Sequence, residues 1–259
     1  MDYRGRRGPT SSVPILIVLA EPWSVGGRGR ATLDRMQTVT GLLTAAAGLI
    51  IGAALSAYAL MVPAEGRLPG LSLSPLVEVR PRWVVALGAV IACAMSVVMD
   101  AALGWSLEFW VLWLPGLLGI GLAIVDVRRR RLPFVITGAM YAISAPAIVA
   151  IAVISGDSAP VIRAVVGGIA AIGVLLVVAL ALPGQLGLGD VVMIGWIAMT
   201  LGWLGWERLG VGLLAGLLLQ ATAAATLMAL RHRAVEGGLP MGPTLIAGWL
   251  VGVVGLVTG

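Results

Sequence analysis

The sequence predicts an all-α integral membrane protein, a bundle of about eight transmembrane helices, and three observations carry that prediction. Of 259 residues, 59% are hydrophobic and 11% charged, with a mean hydropathy of +1.04; a soluble domain carries roughly a quarter charged residues. Apolar runs long enough to cross a bilayer as helix recur along the chain, separated by short connections. The positive charge comes from 17 arginines and no lysine, clustered at the ends of apolar segments. That pattern orients a chain in a lipid bilayer and gives no reason to expect nucleic-acid binding. The single Cys93 lies inside an apolar run, so neither an intrachain disulfide nor a Cys-rich zinc site is available, and the thiol reads as packing. No metal or cofactor is implied.

Taken in order, residues 1–36 form a tail, expected to be disordered, and residues 37–259 the polytopic membrane domain. The tail holds six arginines, Arg4, Arg6, Arg7, Arg28, Arg30 and Arg35, and one short apolar run, Val13 to Ala20. Eight residues do not span a bilayer that needs about 20 in helix. The true start stays open between Met1 and Met36. The spans then run Thr38 to Val62, Trp83 to Leu103, Leu107 to Val125, Pro133 to Ile154, Val161 to Leu182, Asp190 to Leu204, Leu209 to Leu230 and Pro240 to Val257. The sixth is short, with glycines that predict tilt or a break. Gly48 to Ala54 and Gly167-Gly168 predict close helix contacts in lipid.

Orientation follows from the arginines. The loops after spans one, three, five and seven carry nine: Arg67, Arg80, Arg82, Arg128 to Arg131, Arg231 and Arg233; the opposite loops carry Arg163 and Arg208. The positive-inside rule places the first set in the cytoplasm. Four arginines in a row after a span read as an anchor to anionic headgroups, and His232, between Arg231 and Arg233, as a headgroup contact. The tail arginines fall on the other side, which is the tension that favours a start near Met36.

That topology brings two acids to one face. Asp126 closes the third span and Asp190 opens the sixth, in Gly187-Leu188-Gly189-Asp190. Either acid alone reads equally well as a helix cap, and Asp190 is placed as an N-cap or first-turn anion. Together they are candidate catalytic residues, a pair able to share one proton and activate water. Gly187 and Gly189 remove side chains beside Asp190 and allow unusual backbone angles, room for an extended peptide. Asp190, at a helix N-terminus, is expected to ionise more readily than Asp126 at a C-terminus. Asp100 is different: seventeen residues of helix from Trp83 rise about 25 Å, to the opposite face.

Asp126-Val127 followed by Arg128 to Arg131 and Leu132-Pro133 resembles the Asp, basic run, Ile/Leu-Pro signature of type IV prepilin peptidases. Gly187-Leu188-Gly189-Asp190 resembles their GxGD motif, Leu239-Pro240-Met241-Gly242-Pro243 their Pro-Phe-Gly-Pro segment, and Gly48 to Pro63 their first helix. The likeness covers nearly all of the chain after Met36. It implies a multi-pass inner-membrane aspartic endopeptidase. Such an enzyme removes the basic leader of prepilins or pseudopilins at the cytoplasmic face, usually after a glycine, with Asp126 and Asp190 as the catalytic dyad. It implies a substrate-binding role for Gly187, Gly189, Pro240, Gly242 and Pro243, and neither cofactor nor metal.

The chain departs from the family in places. The loop Pro63 to Arg82 lacks the two CxxC pairs of many bacterial members, which leaves N-methyltransferase activity without support. Val192 stands where a lysine is usual and Met241 where phenylalanine is. The rival readings are an ion- or proton-coupled transporter, a presenilin-like intramembrane protease and an inactive membrane scaffold. Acids at one face, with no inverted repeat, count against a transporter. Val125 before Asp126, where presenilin-like proteases have tyrosine, counts against the second.

Overall fold

A computed structural model describes residues 27–62, 81–130, 132–181, 187–231 and 239–255. Every regular element among them is a helix: α1 (Gly27–Met61), α2 (Arg82–Leu103), α3 (Leu107–Arg129), α4 (Phe134–Ser155), α5 (Ala159–Ala181), α6 (Leu188–Leu204), α7 (Trp206–Arg231) and α8 (Gly242–Val254). The expectations for Arg67, Arg80, Arg131, His232 and Arg233, and for the tail up to residue 26, lie outside the described residues. From Gly27 the expected tail is already helical, since Ala31, Leu33 and the arginines are good helix formers. The chain divides into a unit ending at Val39 and a compact unit, Thr40–Gly259, which holds both acids.

Six helices are long and apolar enough to cross a membrane: α1 from Arg35, α2, α3, α4, α5 and α7. The other two expected spans are shorter, α6 at 17 residues and α8 at 13, or about 26 Å and about 20 Å against a hydrocarbon core of about 30 Å. The reason lies in their ends. Gly205 and Gly255 adopt positive φ and stop α6 and α8, and each end is met by an arginine from the neighbouring helix. Arg163 of α5 donates to the carbonyls of Gly202 and Trp203, both at 3.4 Å, and Arg208 of α7 donates to that of Val253 at 2.6 Å. Both arginines, expected in loops, sit in helices and satisfy carbonyls that lipid would leave bare.

Small residues bring these helices close. A Cβ on Gly248 would fall 2.4 Å from the Cα of Gly216, so α7 and α8 touch backbone to backbone. The buried core runs through α3, α6 and α8, with Trp196 and Trp249 at its centre, ring centroids 5.3 Å apart. Three buried indole N–H groups find a hydroxyl: Ser144 for Trp196, Thr200 for Trp249 and Ser96 for Trp113. The periphery is the reverse of a soluble surface, with Val153, Ile154 and Leu180 each more than 70% exposed.

Candidate active site

α3 does not stop at Asp126. It continues to Arg129, so the carboxylate belongs to the last full turn and is buried, 4% exposed. The Asp126 carbonyl accepts the N–H of Arg130, the C-cap, at 2.7 Å. Its side chain reaches α8: Oδ2 accepts the Gly242 N–H at 2.7 Å. Gly242 opens α8, so its amide is one of the donors a helix start leaves unpaired, and the positive end of that helix faces the acid. A Cβ there would lie 3.0 Å from Asp126 Oδ2 and 3.2 Å from its Cβ; only glycine lets the two backbones come this close.

Asp190 lies in the first turn of α6, half-buried, and folds back so that Oδ2 accepts the Gly187 N–H at 3.2 Å. This is half of a capping box, so the structural reading of this acid is realised as well. Asp126 holds the shorter backbone bond, from a helix other than its own, while Asp190 has the longer one, from the start of its own helix. Counting only each acid's own helix dipole missed α8.

Both acids line one cavity of about 540 Å³, with Arg130, Leu132, Pro133, Phe134, Val135, Gly187, Leu188 and Gly189. This is the size of a small-ligand or peptide-side-chain site, open at the end of the bundle where α3 stops and α4, α6 and α8 begin. Among the described residues, no three His, Cys, Asp or Glu side chains converge as a metal site would require. The comparisons add no relative: none of the protein-family models, curated proteins or solved structures matches this chain.

The other predicted site residues divide. Gly187 is exposed on the cavity wall in ordinary extended backbone, φ −78°, and a Cβ there would fall 3.1 Å from Asp190 Oδ2; it keeps space clear beside the acid. Gly189 packs instead, its absent Cβ only 2.8 Å from the Leu132 Cβ, which docks α6 on the segment before α4. Neither uses a backbone angle closed to other residues. Gly242 serves Asp126. Pro240 precedes α8 outside the cavity wall, and Pro243 faces a separate apolar groove with Thr222 and Thr244. Met241 packs on the core as the N-cap of α8. Val192 offers its carbonyl to the Tyr141 hydroxyl at 3.1 Å.

Asp100 stays apart. Arg128 donates to the Leu60 carbonyl at 2.9 Å, which fixes the C-terminal end of α1 beside the site. Asp100 packs near Gly41, nineteen residues earlier on α1 and so about 28 Å away along the helix. Two arginines of the run have jobs the sequence did not reveal: Arg128 ties α3 to α1, and Arg130 turns into the cavity wall.

Proposed function

We propose that this protein is a membrane aspartic endopeptidase. It cleaves the basic leader from type IV prepilins or pseudopilins at the cytoplasmic face of the inner membrane, and Asp126 and Asp190 are its dyad. The observation that carries the reading is the shared cavity: two acids from helices 64 residues apart in sequence line one space, and each carboxylate is oriented by a backbone N–H.

The chemistry follows from the inequality between the acids. Asp126, held as the carboxylate by the Gly242 amide, takes a proton from a water molecule, and the oxygen so activated attacks the scissile carbonyl carbon. Asp190 gives its proton to the carbonyl oxygen, and a tetrahedral diol forms. When the C–N bond breaks, the proton on Asp126 passes to the leaving amine and a diol proton returns to Asp190. Pairs of acids with divided protonation perform this work without a covalent intermediate. Gly187 leaves the mouth open for a peptide in extended form.

α6 and α8 complete the eight crossings, their shortness offset by Arg163 and Arg208 at the far face. The described arginines at the site end, Arg82 and Arg128 to Arg130, support a cytoplasmic orientation for the cavity. The test is cleavage of a model prepilin by purified protein in lipid vesicles, with the new N-terminus read by mass spectrometry. Cleavage at one bond, absent in Asp126→Ala and in Asp190→Ala, is expected. Proton or ion flux without cleavage would overturn the reading.

A further inference from the structure

Arg130 is the one non-glycine residue among the described ones with positive φ, 52° with ψ 37°. This left-handed conformation at a helix C-cap suits glycine, because a Cβ crowds the following carbonyl. A long charged side chain is thus kept where glycine would cap α3 with less strain. Strain of this kind gathers at working sites. The side chain is exposed at the mouth of the cavity that holds Asp126 and Asp190. Its neighbour Arg128 is turned away, to the Leu60 carbonyl.

We propose that Arg130 is a substrate-positioning residue whose guanidinium donates hydrogen bonds to main-chain carbonyl oxygens of an extended peptide in the cavity. The inference rests on the peptidase reading. An extended chain presents one carbonyl and one N–H per residue. Asp190 donates to the scissile carbonyl, but the neighbouring carbonyls of the peptide need other donors. The remaining lining side chains are Leu132, Pro133, Phe134, Val135 and Leu188, with Gly187 and Gly189, none of which donates. Guanidinium carries five N–H groups and no acceptor. A carbonyl fits better than a substrate carboxylate, because a third acid would join Asp126 and Asp190 in the same space.

Arg130→Gly tests this cleanly, since glycine keeps the left-handed backbone and removes only the side chain, so the fold is not at stake. Cleavage is measured on peptides with a basic leader, a glycine and an apolar segment, with and without an acidic residue beside the glycine. The expected result is KM raised about tenfold on every peptide alike, from one or two charge-assisted bonds lost. kcat, pH profile and melting temperature stay as in wild type, and Arg130→Lys recovers part of the loss. A KM effect confined to acidic peptides would overturn the proposal in favour of carboxylate recognition. A fall in kcat with a displaced pH profile would place Arg130 on the dyad instead. Unchanged KM would reduce it to a cap. If wild type cleaves nothing, the peptidase reading itself fails and the proposal with it; in the other three outcomes wild-type cleavage leaves that reading standing.

Discussion

Gly242→Ala is the most exacting perturbation of the site, because a single methyl group acts on one bond. The added Cβ would stand 3.0 Å from Asp126 Oδ2, 3.2 Å from Asp126 Cβ and 3.3 Å from Ala123 Cα, all inside ordinary van der Waals distance. All three atoms belong to α3, and Asp126 Cβ and Ala123 Cα are fixed to its backbone, so the start of α8 must back away by a few tenths of an ångström. The 2.7 Å bond from the Gly242 amide to Asp126 then lengthens. A hydrogen bond to a charged group contributes about 1.5–3 kcal/mol. Losing about half of that lowers kcat/KM by about three- to tenfold. Stability should hold, because alanine is the better helix former by about 1 kcal/mol and offsets the crowding. Steady-state cleavage and a thermal melt, run side by side, separate the two effects. Wild-type cleavage with a wild-type melt would refute the claim that α8 orients Asp126, and so would a loss of activity that merely follows unfolding.

Other predictions test neighbouring links. Arg208→Gln removes the charged donor from the Val253 carbonyl and should cost about 2 kcal/mol in stability, read as a lowered melting temperature in detergent. Gly248→Leu forces α7 and α8 apart, where a Cβ would already meet the Gly216 backbone at 2.4 Å, and should destabilise by more than about 3 kcal/mol, read as lost expression of monodisperse protein.

The sequence exposed this site through two features that need no long-range information. An acid in an apolar chain is conspicuous because lipid makes it costly, and counting spans assigns it a face; Asp126, Asp190 and the exclusion of Asp100 all came that way. The apolar runs located the helices for the same reason. The bond from Gly242 to Asp126 joins residues 116 apart, and no local pattern marks it. Helix-dipole reasoning confined to each acid's own helix therefore left out the donor that Asp126 takes from α8. Arg163 and Arg208 read as loop charges because nothing local reveals that they meet carbonyls 39 to 45 residues away. Their partners also explain why α6 and α8 end early, which hydropathy does not see. Arg130 was hidden within a run of four arginines, since composition gives all four the same role and only φ distinguishes one. Gly189 shows the converse: the motif drew attention to the right residue, but its work is packing on Leu132.

The central claim is that Asp126 and Asp190 act as one unit, and single-turnover cleavage by Asp126→Asn, Asp190→Asn and the double variant tests it most directly. A shared proton and a shared water make the acids interdependent, so each single change should remove nearly all of the rate and the second should remove little more. Two moderate losses that multiply in the double variant, or full activity in either single variant, would contradict the dyad.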